Sequence, residues 1–409
     1  MFEELPTERQ IKCRFIGSDV ALPIALLALA IGAFGLGTTE TIVMGILPEL
    51  SDNLHVSIAK AGLLVSGYAI GVTIASPLMA IITNRYSRRQ TLLLMMAIFV
   101  VGNICSALAP NYNLLMASRF LTSLSHGTFY GAASIVACQL VPPQKRAEAL
   151  SIVYIGLTLA MVLGVPLGTL VAQFTSWRVS FWLIGGVGSL AWISIWYLIP
   201  HDNQTNTSIR LYDQFRSLTH PMVILMMLVS MCTSAGMFGL FTYITPFLEI
   251  RTGLSAHATD WVLLLIGAGL CLGNLLGGRL ADWKMLPSCG GLLAMTIIIQ
   301  LLLISGSLHV WSCILLLFFW GVFIYAPMAP LQSYVVTCAE SAPNIAAAVN
   351  QSSFNLGNAI GSWSGSLLVG TLPSTYGKLP ILASAFLAAG VLLVCLAGYL
   401  QSQKIKEKL

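Results

Sequence analysis

Apolar runs, each about as long as a bilayer-spanning helix, follow one another along almost the whole chain. Charged or Pro/Gly/Asn-rich breaks separate them, and a helical span needs about 20 apolar residues. The runs from Thr91 to Val101 and from Ile381 to Ala397 are nearly continuous rather than alternating, which favours helices over β-barrel strands. The pattern predicts twelve transmembrane helices, at residues 20–47, 57–83, 91–109, 112–139, 149–174, 179–199, 221–248, 258–281, 289–307, 311–337, 346–370 and 380–400.

The longest polar break, residues 201–220, lies near the middle of the chain. We therefore predict two six-helix halves joined by a cytoplasmic linker. The segment Gly32–Leu36 resembles Gly236–Leu240, and Pro48 recurs at a similar spacing as Pro246. Such a repeat is typical of transporters whose two bundles enclose a central site. The predicted units are an N-terminal tail (1–19), a first bundle (20–200), the linker (201–220), a second bundle (221–400) and a C-terminal tail (401–409).

Composition supports a membrane protein and excludes most other classes. Charged residues make up 9% and hydrophobic residues 57% of the 409 residues, whereas an ordinary soluble domain has about 25% charged residues. Soluble enzymes, nucleic-acid binders and disordered scaffolds are therefore excluded. The nine cysteines form no CxxC pair or His-Cys cluster, so we predict neither a metal site nor a disulfide framework.

The basic residues predict the orientation of the chain in the membrane. If the N-terminus is inside, most Lys and Arg residues lie in cytoplasmic segments, as the positive-inside rule requires. The opposite side then holds only Lys60, Arg178, Arg251 and Lys378. We expect both termini in the cytoplasm, with the polar N-terminal segment retained as a tail.

Three ionisable residues fall well inside the predicted spans: Glu40, Arg119 and His126. A charge inside the membrane costs about 2.5–3.5 kcal/mol. We therefore expect each of these residues either to serve the function or to pair with another. Helix geometry places Glu40 and Arg119 roughly 9–10 Å to the outer side of the midplane, and His126 two turns from Arg119 on the same face. One interpretation is a structural ion pair that joins the first and fourth helices. The other is a proton site, in which Glu40 loads and releases protons, Arg119 tunes it, and His126 relays protons or binds substrate.

Several motifs resemble those of one transporter family. The loop Ala80–Arg89 is similar to the pattern G-x-L-x-D-R-x-G-R-R, with Ala80, Asn84 and Ser87 departing from it. Gly278–Trp283 resembles a second, partial copy. The segment Arg119–Gly127, the pair Thr39-Glu40 and the partial motif Gly156–Gly168 also match. Over residues 20–400 the chain resembles the major facilitator superfamily, in particular its drug/sugar:proton antiporters of the bacterial sugar-efflux and arabinose-polymer-transporter-like group.

This resemblance implies an all-α fold of two pseudo-symmetric six-helix bundles in the bacterial inner membrane. It implies a cytoplasmic latch, a proton-transfer role for Arg119, and an export-associated bend in the fifth helix. For the loop Ala80–Arg89, the alternative to a latch is positive charge that only sets the membrane topology. For the fifth helix, the alternative to an export-associated bend is close packing of small residues. The conformational residues are Arg85, Arg88, Arg89, Asp282, Gly164, Pro166 and Gly168.

Other residues are candidates for substrate contact. Asn355 and Asn358 share one face of the eleventh helix and either line the cavity or join helices. The aromatic residues Tyr130, Phe238, Tyr243 and Tyr325 could form a substrate cage.

Together these features predict proton-coupled export of a small molecule, a sugar or a chloramphenicol-like drug, by alternating access. The proton gradient would supply the energy. No ATP is expected, because no phosphate-binding G-x-x-x-x-G-K-[ST] motif occurs, and we expect no other cofactor. We expect a monomer in the lipid bilayer, with no nucleic-acid partner and no enzymatic activity. Uptake by a symporter or facilitator, and a non-transporting receptor on the same scaffold, are the alternatives.

Overall fold

The structure is a computed structural model that describes residues 21–83, 85–142, 146–200, 219–338, 343–369 and 373–406. These residues are almost entirely helical and contain no β-strand. The predicted N-terminal tail and most of the predicted linker lie outside the described residues.

The first half contains six membrane passes, two of which are interrupted. The fourth pass is split between two helices, and the fifth contains a π-helical turn at Ala160–Gly164. The helices are α1 (Ala21–Gly45), α2 (Leu47–Asn53), α3 (Ile58–Thr83), α4 (Arg88–Leu108), α5 (Tyr112–Ser123), α6 (His126–Gln139), α7 (Arg146–Leu159), α8 (Val165–Phe174) and α9 (Trp177–Leu198).

The second half also makes six passes, but its π-helical turn, Phe247–Arg251, follows its first pass instead of interrupting its fifth. Its helices are α10 (Pro221–Phe241), α11 (Ile244–Pro246), α12 (Ala256–Gly306), α13 (Val310–Tyr325), α14 (Met328–Cys338), α15 (Pro343–Val369) and α16 (Leu379–Lys406), with a 3-10 helix at Pro373–Lys378. Helix α12 has 51 residues and would measure about 77 Å if straight. It comprises two spans, Ala256–Gly277 and Met285–Gly306.

Ten stretches in the described residues are long and apolar enough to cross a membrane. The two predicted spans that do not qualify are the fourth and the eleventh. The fourth is divided into α5 and α6 at Leu124-Ser125. The eleventh, α15, carries Asn350, Asn355 and Asn358 within its 27 residues. The two spans that are not long and apolar enough to qualify are thus the ones that carry Arg119, His126, Asn355 and Asn358 of the candidate site.

The two halves contact each other on the side of the molecule where α1 ends, which we call the far side; the near side is where α1 begins and α16 ends. On the far side, the Thr245 hydroxyl donates to the Met44 carbonyl (3.0 Å). Deeper in the interface, the hydroxyl oxygens of Ser66 and Ser362 are 2.6 Å apart. These contacts join the halves directly and close the far side.

A cavity of about 390 Å³ lies between the halves toward the near side. Tyr130 and Tyr154 line it from the first half, and Gln332 and Gln351 line it from the second. Because the far side is closed and this cavity lies at the near side, the structure represents the state that opens to the near side.

Candidate functional site

Glu40 lies at the centre of the candidate site, on α1, with 6% of its surface exposed. Its Oε2 atom is 3.7 Å from Nε2 of His126. The Asn358 side-chain amide donates to its Oε1 atom (3.3 Å). Because His126 belongs to the first half and Asn358 to the second, the carboxyl group connects the two halves.

His126 begins α6 and is almost fully buried. Its Nδ1 atom is 3.0 Å from the Tyr68 hydroxyl, and its ring packs against Tyr130 (5.2 Å between ring centres). If Tyr68 donates to Nδ1, the neutral imidazole carries its proton on Nε2, facing Glu40. In this tautomer Nε2 already carries a proton, so the imidazole can stabilise an ionised Glu40 through its N–H group but cannot accept a proton from it there.

Arg119 does not form the direct ion pair with Glu40 that one sequence-based interpretation proposed. The side chain is fully buried, and its Nη1 atom donates to the Thr39 backbone carbonyl. The guanidinium lies over the Tyr68 ring, 4.2 Å from its centre, while Nε and Nη2 have no hydrogen-bond partner. The contact of Arg119 with residue 39 agrees with the prediction that Arg119 and Glu40 lie at the same depth. Arg119 also acts on the charge of Glu40 through space, without a hydrogen bond between them. His126 and Asn358 occupy the positions beside the carboxyl group instead.

Asn355 and Asn358 are both fully buried on α15, but they make different contacts. Asn358 reaches Glu40, whereas the Asn355 amide donates to the Gln351 carbonyl of its own helix (3.0 Å). The side-chain oxygens of both residues lack a hydrogen-bond partner. Asn358 is therefore the member of the pair that joins the site.

The four aromatic candidates do not form one cage. Tyr130 lines the cavity, stacks on Tyr154 (6.1 Å, 6° between planes) and donates to the Ala33 carbonyl (3.0 Å). Tyr325 is half-buried at the end of α13.

The other two aromatic candidates pack between helices and do not line the cavity. Phe238 is buried against Phe241 and Phe354. Tyr243 is buried in the interface and donates to the Ser362 carbonyl (2.9 Å).

The sequence interpretation missed Tyr68, Tyr154, Gln332 and Gln351. A polar amide inside an apolar span was an available signal for Gln332 and Gln351. Nothing in the sequence distinguished Tyr68 or Tyr154 from other tyrosines that pack between helices.

The conformational residues of the loop between α3 and α4 lie at the near side. Ser87 caps the start of α4 together with Gln90. Arg89 is buried, donates to the Trp196 carbonyl and lies over the Trp196 ring (5.2 Å); Arg85 is exposed and Arg88 half-buried. The Asp282 backbone is helical, but its side chain and the whole of Asn84 lie outside the described residues.

In the fifth pass, the π-helical turn Ala160–Gly164 ends two residues before Pro166. Proline lacks an N–H donor, so a local widening of the helix accommodates it. Side chains at Gly164 and Gly168 would collide with Thr38 and Ile42 of α1. These glycines therefore allow α1 and α8 to approach closely.

The family profile described as Major Facilitator Superfamily matches residues 29–362. The chain belongs to the Major Facilitator Superfamily. A second comparison finds the inner membrane transport protein YdhP of Escherichia coli K12, 37% identical over 380 residues, covering 93% of this chain and 97% of that protein. A protein named probable sugar efflux transporter, from Helicobacter pylori J99, is 29% identical over 347 residues, covering 85% of this chain and 88% of the other.

Solved structures agree with this assignment. A bacterial homolog of the human lysosomal transporter Spinster, in an inward-facing and occupied conformation, superposes with a TM-score of 0.75 at 17% identity, covering 94% of this chain and 98% of that one. This likeness shows the fold. Together the comparisons confirm the all-α superfamily fold and a multi-pass membrane transporter rather than an enzyme.

Proposed function

We propose that this superfamily member is a proton-coupled exporter of small molecules in the bacterial inner membrane, working as a monomer with both termini in the cytoplasm. The supporting observation is the position of Glu40. It is the buried carboxyl group that His126 of its own half and Asn358 of the other half both contact. A group that contacts both halves exerts different forces on them when it is ionised and when it is neutral.

In the proposed cycle, substrate enters the near-side cavity from the cytoplasm while Glu40 releases its proton. The ionised carboxylate attracts His126 and Arg119 and holds the amide of Asn358 more tightly. Once the carrier has opened to the outside, Glu40 takes up a proton from the outer phase, and the neutral form returns.

The cavity suits an uncharged polar substrate. Its described lining contains no Asp, Glu, Lys or Arg side chain, but it includes three glutamines, Gln139, Gln332 and Gln351, and the stacked rings of Tyr130 and Tyr154. Amides bind hydroxyl groups and aromatic faces cover apolar ring surfaces. A sugar or a neutral drug such as chloramphenicol fits this description, and one relative is named as a sugar efflux transporter.

The test is transport by purified protein in liposomes with an imposed proton gradient. For the unchanged protein, we expect candidate substrate to move against the direction of proton flow. Replacement of Glu40 by Gln should reduce this gradient-driven flux at least about tenfold, because an amide cannot bind and release a proton and carries no charge to attract His126 and Arg119.

Asp52→Asn serves as the matched control, since Asp52 is an exposed carboxylate on the far side. It should transport normally, and both variants should show the elution profile of a folded protein. Gradient-driven flux that survives in Glu40→Gln would contradict the proton role. Flux of substrate in the same direction as protons would instead support uptake by symport.

A further inference from the structure

A second group of carboxyl side chains lies at the far-side closure, beginning with Glu49, about two and a half helical turns beyond Glu40 along the chain. Glu49 and Asp52 belong to α2 of the first half, whereas Glu249 and Asp260 belong to the π-helical turn and α12 of the second half. They are close enough for their negative charges to act on one another. Closure of the far side therefore gathers like charges from both halves.

Asp260 is the most deeply buried member of this group, with 6% of its surface exposed. The Gln173 amide of the first half donates to its Oδ1 atom (3.3 Å), but its Oδ2 atom is buried without a hydrogen-bond partner. Oε2 of the half-buried Glu49 is also buried and without a partner. A buried carboxylate oxygen that accepts no hydrogen bond is stabilised when it carries a proton.

The basic groups nearby are directed to other partners. Arg178 donates to Asn53 and to the Ala109 carbonyl, and Arg251 donates to Ser307 and to the Ile304 carbonyl. Lys60 lies over the Tyr112 ring (5.0 Å). The other described titratable side chains at this end include the exposed His55, His257, His309 and Lys378, the half-buried Tyr112 and the buried Tyr376. Of these, His257 packs on Phe174 and attracts Asp260. No described cation forms an ion pair with the buried carboxyl groups.

We propose that Glu49, Glu249 and Asp260 form a second proton-binding site, filled from the outer aqueous phase, that must hold protons for the far side to close. The proposal uses the orientation given above, in which the far side faces outward, but does not depend on the role of Glu40.

The electrostatics of the groups outside the spans agree with this site. Burial is the largest influence on Glu49, and together with the neighbouring Glu249, Asp260 and Asp52 it raises the pKa of Glu49 to about 7. Burial, with the charges of Asp260 and Asp52, also raises the pKa of Glu249. A pKa raised by closure means that the closed state binds more protons than the open state, so closure is favoured as the pH falls.

The experiment measures closure directly. Spin labels placed at Ser57→Cys and Ala256→Cys, two exposed far-side positions in different halves, report their separation in a cysteine-free full-length protein in lipid nanodiscs. Between pH 8.5 and 5.5 the ratio of closed to open molecules should rise, by up to about tenfold per pH unit for each proton taken up. The triple variant Glu49→Gln, Glu249→Gln, Asp260→Asn should stay mostly closed, with its ratio changing less than about twofold over the same range.

Three further measurements make the test specific. Asp260→Asn alone, a milder change in case the triple variant folds poorly, should reduce the steepness of the response. Asp52→Asn, which neutralises an exposed acid on the same helix as Glu49, should keep the steepness of the response and shift its midpoint to lower pH, because the Asp52 charge helps to raise the pKa of Glu49. Glu40→Gln should keep the pH response of the far side, which separates this site from the central one.

The proposal is overturned if the parent shows no pH response, or if the triple variant responds as steeply as the parent. It is also overturned if, at constant pH, closure follows sodium concentration instead, since the site would then bind a metal cation rather than protons.

Discussion

Asn358 is the residue that gives the central carboxyl group a contact in the second half. Its amide lies 3.3 Å from Glu40, while Asn355, one turn earlier on the same helix, donates to its own backbone. The sequence placed both amides on one face but left open whether they line the cavity or join helices. The two asparagines make different contacts because different helices lie opposite them. The periodicity of one helix shows which residues share a face, but not which neighbouring helix each residue meets.

The first prediction separates these two residues. Asn358→Ala should reduce proton-driven transport about tenfold or more, because a hydrogen bond to a charged group contributes about 1.5–3 kcal/mol. Asn355→Ala should have a much smaller effect on coupling, since its described amide contact is within α15. The measurement is the initial rate of substrate flux at a fixed pH difference, with each variant reconstituted at equal protein density.

If both variants lost proton coupling equally, the contact of Asn358 with Glu40 would not be the cause. Coupling would then depend on the whole helix face that carries the two asparagines.

At the residue scale, the sequence therefore predicted which ionisable residues are buried in the membrane, but not which groups they contact. The cost of charge in the bilayer identified Glu40, Arg119 and His126, and all three are buried near one another. The depth estimate brought Arg119 to the level of residue 39, but the guanidinium is held by a backbone carbonyl and the Tyr68 ring. Main-chain acceptors and aromatic faces leave no charge pattern in the sequence, so this arrangement was not predictable.

At the scale of helices, close packing between backbones shapes both bundles. A Cβ atom at Gly156 would collide with the Ala30 carbonyl of α1, and one at Gly361 with the Ala235 carbonyl of α10. In a membrane, where apolar side chains gain little from leaving lipid, such close approach is a main source of helix association. The sequence indicated small-residue packing for the fifth helix, and the structure identifies its neighbour.

The second prediction follows from this packing. Gly156→Ala should destabilise the protein by about 1–3 kcal/mol, because the added methyl group forces α1 and α7 apart. Gly186→Ala is the matched control: Gly186 is also helical, and nothing lies within 4 Å of its added Cβ, so its effect should be near zero or slightly stabilising. Thermal unfolding of both variants in the same detergent provides the measurement, and similar midpoints would contradict the packing explanation.

Element boundaries were predicted well where spans are uniformly apolar and less well where they carry function. Ten predicted spans correspond to long apolar helices in the described residues. The sequence predicted a bend near Pro166 but not the π-helical form of the turn at Ala160–Gly164, and it did not predict the break at Leu124-Ser125. Hydrophobicity along the chain does not report such local changes in helix form.

At the scale of the whole molecule, the relation between the two halves defines the functional state. Ser66 and Ser362 are in hydrogen-bond contact across the interface, and a near-side cavity remains open between the halves. In alternating access, the far-side contacts must separate when the near side closes. The structure therefore supplies a pair of positions whose distance should change greatly during the cycle.

The third prediction uses that pair. The double variant Ser66→Cys, Ser362→Cys should form a cross-link with a membrane-permeant oxidant, because the two hydroxyl oxygens are 2.6 Å apart. Transport should stop on oxidation and return on reduction, since the far side could no longer open. Each single variant, treated identically, should remain active. A cross-linked protein that still transports would show that these helices do not separate.

The sequence by itself determined the membrane class, the spans, the division into two halves and the family resemblance. It could do so because the cost of placing charge in a bilayer is large and acts position by position along the chain. Only the tertiary structure decided the rest: the contact of Glu40 with His126 and Asn358, the side on which the cavity opens, and the meeting of Glu49, Glu249 and Asp260 across the far side. Hydrophobic pattern specifies the depth of a residue in the membrane, but the rotation of a helix and the identity of its neighbours depend on packing between distant parts of the chain.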